Sequence, residues 1–196
     1  VKNFLAVVML AAGTPMLLMG DEMRRTQGGN NNAYCIDDES NWLDWSLLRQ
    51  HAEIHRFVKE LALFRQRRDA LNQDVTLTLN QMLQRAQVSW HGVVLERADW
   101  GERSHSLAFT LRSLSSRFLF HCIMNAYWEP LDFEVPPDHG NERLYWRRCI
   151  DTALASPGDI QKWAEAPAVE PGRYLVQPRS LVLLAAELQS DGATMS

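Results

Sequence analysis

The chain has 196 residues, of which 46% are hydrophobic and 22% charged, with a formal net charge of -4. This is the composition of a folded globular protein, long enough for one large domain or two small ones, and it excludes disorder as the default. The mildly acidic balance leaves no basic footprint for nucleic acid or for an anionic membrane surface.

The first apolar stretch runs from Phe4 to Met19. It is short for a membrane span, is broken by Gly13, Thr14 and Pro15, and meets Asp21 and Glu22 at once, so it reads as core. Val1 to Ala12 are apolar residues or good helix formers, and Gly13 with Pro15 ends them as a helix that feeds a strand ends. Neither a methionine nor an N-cap signal precedes this helix, and the chain reads as a piece of something larger. "MLLM", residues 16 to 19, suits a short strand buried on both faces, as in a parallel sheet under helices. Behind it comes "GDEMRRTQGGNNNAYCIDDESNWLDW", residues 20 to 45, a loop far richer in hydrogen-bonding groups than a connection requires.

Apolar residues then recur at Ile54, Phe57, Val58, Leu61, Phe64 and Leu71, which predicts an amphipathic helix over 51–71 with Arg65, Arg67 and Arg68 on its solvated face. Helix, short strand, polar loop and helix make one βα unit of an α/β fold with the preceding helix attached. Beyond Asn72 the segments "VSWHGVVL", "SHSLAFTL", "RFLFHCIMNAYW", "LDFEV", "LYWRRCI", "RYLVQPR" and "SLVLLAAEL" alternate with Pro, Gly, Asp and Asn turn signals. They predict an antiparallel β domain, a sandwich, over 72–196, with a linker at about 72–84.

Several constellations read as structural. Cys35, Cys122 and Cys149 are widely spaced and odd in number, so neither a disulfide framework nor a CxxC zinc pattern is available, which fits a reducing, cytoplasmic setting. His51 and His55 stand four apart but lack a third ligand, so no metal site is expected. Asp37, Asp38 and Glu39 lack the alternation and turn glycine of a calcium loop and read as a solvated acidic stretch. Trp90, Trp100, Trp128 and Trp146 read as β-domain core in preference to an exposed binding platform.

"GTPMLLMGDE", "RTQGGNNNAYC" and "NWLDW" together resemble the end of the catalytic barrel in bacterial glycogen debranching enzymes, isoamylase-type α-1,6-glucosidases of the α-amylase superfamily. "WHGV", "ADW", "IMNAYWEPLDFEVP", "WRRCIDTAL" and "YLVQPRSLVLL" resemble, in the same order, the C-terminal β domain of those enzymes. The loop departs from the family at Ile36, Asp37 and Asp38, where Gln, Asp and Asn are expected. The resemblance implies an α+β chain: residues 1–71 as the last helix, strand and helix of a (β/α)8 TIM barrel, and 72–196 as the β-sandwich domain. It also implies a branched α-glucan, glycogen or limit dextrin, as the substrate of the parent enzyme, with no metal or organic cofactor.

In such a barrel the strand-to-helix loops form the active-site face. Asn amides both donate and accept hydrogen bonds and aromatic rings stack on sugar faces, so Asn30, Asn31, Asn32 and Tyr34 are the candidate substrate contacts. The same Asn run also suits a loop that merely shapes itself. Asp21, Glu22 and Arg25 are read as residues that fix the rim. Retaining glycosidases hold two carboxyl groups about 5–5.5 Å apart, whereas adjacent residues leaving a strand diverge. In the family the catalytic carboxylates lie on earlier strands, so none is expected in this chain. The alternative is a stand-alone carbohydrate-binding or structural β module carrying a barrel remnant.

Two physical expectations follow from the division at residue 72. The β domain should fold by itself, while Phe4, Leu5, Val7, Val8, Met9 and Leu10 together with Met16, Leu17, Leu18 and Met19 form an apolar seam that needs cover. Collapse onto the β domain, self-association or loss of order would each answer it, and self-association through this seam into a homodimer or larger assembly is the expected outcome.

Overall fold

The structure, a computed structural model, describes residues 1–11, 13–70, 88–113, 118–139 and 142–188. Helix α1 spans Lys2–Leu10, a 3-10 turn Asp21–Met23, α2 Ser46–Gln50 and α3 Ala52–Ala70. The strands are β1 Val88–His91, β2 Ser106–Arg112, β3 Phe118–Asn125, β4 Leu131–Glu134, β5 Asp138–His139, β6 Glu142–Arg143, β7 Trp146–Asp151, β8 Arg173–Val176 and β9 Ser180–Glu187. The expected linker at 72–84 lies outside the described residues.

Helix α3 forms where the three-and-four spacing placed it, and Ile54, Phe57, Val58 and Leu61 are its buried stripe. Helix α1 runs parallel to it. Lys2 lies 3.8 Å from Glu53 at the start of both, and Arg65, late in α3, donates to the carbonyls of Met9 (2.8 Å), Ala11 (2.5 Å) and Gly13 (2.7 Å). Met9 carries one of the last carbonyls that a helix cannot satisfy by itself, Ala11 is the C-cap, and Gly13 follows just beyond it. Arg65 is therefore the cap of α1 and not part of a solvated face. Two parallel helices joined by a returning extended segment have the geometry of an α/β unit.

The returning segment corrects one expectation. Residues 16–19 form no strand and are exposed, Met16 at 85%. A strand exists by its ladder, and among the described residues no neighbour pairs with these four.

Strands β1-β2-β3-β9-β7 form one antiparallel sheet; β4 pairs β8 and β5 pairs β6 in two small ribbons. Strand β9 lies between β3 and β7 and is buried on both faces. Leu181, Leu183 and Ala185 point toward the helices, joining Leu5, Ala6, Met9, Phe57, Leu61, Phe120 and Cys122. Val182, Leu184 and Ala186 point the other way, joining Ile123, Phe133, Trp146 and Val176 under the β4–β8 ribbon. The result is three layers: helices, five-stranded sheet, ribbon. Each fully buried Leu contributes about 1.5–3 kcal/mol, so the sheet centre is where the chain is most strongly held.

The layering covers part of the expected apolar seam within the chain itself, while Met16 to Met19 stay exposed. Leu5, Ala6 and Met9 of α1 are buried in one core with α3 and the sheet, which is collapse onto the β domain. Phe4 and Val7, on the other side of α1, stay exposed. Polar groups fasten the same seam. Asp159, fully buried, pairs with Lys2 Nζ at 2.8 Å and with Arg56, whose Nε donates to Ser156 Oγ at 2.8 Å. Asn3 Oδ1 accepts the Thr152 hydroxyl at 2.6 Å, and Thr152 Oγ1 accepts the Leu181 N–H at 2.8 Å.

A polar chain crosses the sheet on its ribbon side. The Glu96 N–H donates to His91 Nδ1 at 2.9 Å, so the neutral ring carries its proton on Nε2 and donates to Thr110 Oγ1, 3.0 Å away. The Thr110 hydroxyl then donates to His121 Nδ1, also at 3.0 Å. Burial, with His91 adding a smaller repulsion, pushes the His121 pKa down to about 3. Burial also lowers that of His91, against a smaller pull from Glu96. The thiols of Cys122 and Cys149 are buried as well, and burial raises both to about 12.

Candidate functional site: the polar loop

The loop opens with a turn that only glycine fits. Gly20 has φ 103°, and a Cβ there would lie 2.7 Å from the Arg25 side chain. The two carboxylates that follow serve the backbone: Asp21 Oδ2 accepts the Leu18 N–H at 3.0 Å, and Glu22 Oε2 accepts the Gly20 N–H at 2.9 Å. Met23 is buried and contributes to holding the turn against the helices.

Beyond the turn one side chain organises the loop. The Asn41 amide oxygen accepts from Arg25 Nη2 (3.1 Å) and Gln27 Nε2 (2.9 Å), while its NH2 donates to the carbonyls of Ala33 (2.8 Å) and Ile36 (2.7 Å). Both faces of the amide are thus used. Arg25 donates in addition to the Asn41 carbonyl at 2.9 Å. Sequence reasoning assigned Asn41 no role, although it stands inside "NWLDW"; an Asn placed between acids and tryptophans was the available signal.

Asn30 Oδ1 accepts the Asn32 N–H at 2.9 Å, a local side-chain turn. The side chain of Asn30 is half-buried, whereas Asn31, Asn32 and Tyr34 face solvent, Tyr34 at 93%. Trp42 Nε1 donates to Asp37 Oδ1 at 2.8 Å. Side-chain and then backbone hydrogen bonds from Ser40 hold the Asp38 carboxyl below its usual pKa, and Ser46 does the same for Asp44. Trp45, Ser46, Leu48, Arg49 and Gln50 line an open hollow of about 640 Å3 where the loop enters α2. The loop therefore presents three exposed aromatic rings, Tyr34, Trp42 and Trp45, among amides and carboxylates on a hydrogen-bonded frame. Such a surface suits a neutral polyhydroxylated ligand. Among the described residues no group of three His, Cys, Asp or Glu side chains is arranged to hold a metal ion, and no helix is long and apolar enough to cross a membrane.

The tryptophans of the β domain divide. Trp146 is core, its Nε1 donating to the Pro136 carbonyl at 2.6 Å, whereas Trp90, Trp100 and Trp128 are exposed, contrary to the core reading. Trp100 and Trp128 lie in the connections between strands and Trp90 on edge strand β1, whereas Trp146, on the opposite edge strand β7, packs with Phe133 and Val176 of the β4–β8 ribbon, a difference that the apolar pattern of a short strand does not announce.

Fold and loop define a mixed α/β chain in which the end of an α/β unit packs on an antiparallel β-sandwich, with no closed barrel among the described residues. In architecture it is similar to a pullulanase from Bacillus acidopullulyticus, with a TM-score of 0.69 at 21% identity over 94% of this chain and 20% of that one. Residues 89–178 match the family described as Isoamylase 1-3, C-terminal. Over 187 residues the chain is 35% identical to Isoamylase 3, chloroplastic, of Oryza sativa subsp. japonica, covering 95% of this chain and 22% of that protein. Over 64 residues, 33% of this chain and 9% of the relative, it is 45% identical to the Glycogen operon protein GlgX homolog of Mycobacterium bovis. Its general family is that of the isoamylase and debranching-type glycoside hydrolases of the α-amylase superfamily. The chain spans about a fifth of the length of the isoamylase that it matches along most of its own.

Proposed function

We propose that this chain is the C-terminal part of a cytoplasmic, bacterial-type glycogen debranching hydrolase that cleaves α-1,6 branch linkages in glycogen or limit dextrin. The similarity to a plant isoamylase over 95% of the chain carries this reading, and the match to the mycobacterial protein favours the glycogen branch of the family. Residues 1–71 act as the end of the barrel and 72–196 as the β domain. Tyr34, with Asn30, Asn31 and Asn32, contacts sugar at the rim. Asp21 and Glu22 are structural, since each carboxylate is committed to a backbone N–H, and Arg25 braces the loop through Asn41. The catalytic carboxylates belong to the remainder of the parent enzyme. Hydrolysis of this kind uses two carboxyl groups and no cofactor.

The test compares this chain with the full natural gene product on limit dextrin, following release of reducing ends. The full product should hydrolyse and continue to do so after chelation, and the chain by itself should release nothing above background. Hydrolysis by the chain, or loss of the full product's activity on chelation with recovery on adding a metal, refutes the assignment.

A further inference from the structure

The turn between β3 and β4 carries an aromatic group outside the polar loop. The rings of Tyr127 and Trp128 lie with centroids 3.9 Å apart at 31°, and His105 flanks them at 6.1 and 6.2 Å. Trp128 is 59% exposed. The turn beneath it is rigidly made. Asn125, buried, donates to the carbonyls of Glu129 (2.9 Å), Val176 (3.2 Å) and Gln177 (3.1 Å), and its Oδ1 accepts the Tyr127 N–H at 3.0 Å. The Ala126 N–H donates to the His105 carbonyl at 2.8 Å, which ties the two halves of the group together. An indole held this way offers a flat apolar face whose ordering cost is already met by folding.

Its place in the molecule gives it a partner. The Arg179 N–H donates to the Tyr127 carbonyl at 3.1 Å, and the Arg179 carbonyl accepts from Asn3 Nδ2 at 2.6 Å. Asn3 lies in the first turn of α1, and α1 and α3 start at the same end, where Lys2 meets Glu53. The polar loop enters α2 and then α3 at that end. The aromatic turn and the polar loop therefore occupy the same end of the molecule.

We propose that Trp128, backed by Tyr127 and flanked by His105, is a second α-glucan contact that holds an outer chain of the branched polymer while the loop engages the region of the branch. The ligand is a neutral glucan because a flat indole matches the apolar face of a glucopyranose ring, while the edge of His105 and the carboxylate of the neighbouring Glu129 suit its hydroxyls. The inference rests on the α-glucan reading given above.

Native electrophoresis in gels with and without glycogen, using hydroxyethyl cellulose as the control polymer, tests it on the whole chain. Glycogen should retard the chain and the cellulose ether should not. Trp128→Ala, an exposed position whose loss leaves the core intact, should weaken retardation by about tenfold in apparent dissociation constant, which is ~1.4 kcal/mol, and Trp128→Phe should restore most of it. Equal retardation of wild type and Trp128→Ala, with loss in Tyr34→Ala, overturns the second contact and leaves the debranching reading standing. No retardation of the wild-type chain by glycogen also overturns it, while the full gene product's hydrolysis of limit dextrin judges the other reading separately. If Trp128→Ala instead abolishes self-association in sedimentation equilibrium and leaves glycogen retardation unchanged, the turn is an interface between copies and the proposal is wrong.

Discussion

Replacing Asp159 by Ala removes a carboxylate that pairs with both α1, through Lys2 at 2.8 Å, and α3, through Arg56. The carboxylate is fully buried, while the Lys2 and Arg56 side chains are 14% and 29% exposed. Removing one partner of a buried ion pair costs about 3–5 kcal/mol, chiefly because the remaining charge is stranded. Here both cations reach some water, so the lower end, about 3 kcal/mol, is expected. Urea unfolding followed by far-UV ellipticity, for the helices, and by tryptophan fluorescence, for the sheet, measures it. Because α1, α3 and β9 share one core, both signals should move together to lower urea with an unchanged slope. Lys2→Met in the Asp159→Ala background should cost less than in the wild type, by at least about 1 kcal/mol, since the two residues interact directly. A change below about 0.5 kcal/mol, the range of ordinary surface substitutions, or loss of ellipticity in a separate early transition, would refute the shared core.

The His91–Thr110–His121 chain makes stability depend on pH. The unfolded chain binds protons near the ordinary histidine pKa, whereas folded His121 binds none until about pH 3, so its contribution is complete above about pH 7 and is lost as pH falls from about 6.5 toward 3. From pH 7 to pH 5 the loss from His121 should be about 2 kcal/mol, read from urea midpoints; a flat profile contradicts the buried neutral ring, and His121→Gln should flatten it. Asn41→Ala withdraws four side-chain hydrogen bonds from the loop and should cost about 1–3 kcal/mol locally. Hydrogen exchange and limited proteolysis should both accelerate between residues 27 and 41 while the sheet stays protected, and unchanged protection there would remove Asn41 from its role. Arg65→Lys keeps the charge but loses the planar fork that reaches three carbonyls at and just beyond the end of α1, and should lower stability by about 1 kcal/mol in the same urea titration; no change would mean that water satisfies those carbonyls equally well.

What the sequence disclosed follows the range of the interactions concerned. Helix α3 was legible because Ile54, Phe57, Val58 and Leu61 repeat with the helical period and nothing distant is needed to see it. The antiparallel strands were legible because turn residues punctuate them. The central position of β9 was not, because a continuous apolar run such as "SLVLLAAE" says that both faces are covered without saying by what. Met16 to Met19 carry the same signature and form no strand, since pairing depends on neighbours that four residues cannot specify. The docking of α1 rests on Lys2 and Asn3 meeting Asp159 and Thr152, partners about 150 residues away that no local pattern announces. In the candidate site, the richness of the loop in amides and aromatics was visible, but which Asn organises it was not. Asn30, Asn31 and Asn32 drew the eye as a run, whereas Asn41 acts alone by reaching four partners at once.

The debranching reading is tested most directly by proton NMR of the anomeric region of glycogen limit dextrin during incubation with the full natural gene product. The signal of α-1,6 linkages should disappear and be replaced by reducing-end signals while the α-1,4 signal persists. Loss of the α-1,4 signal with the α-1,6 signal retained, or no change in either, would contradict it.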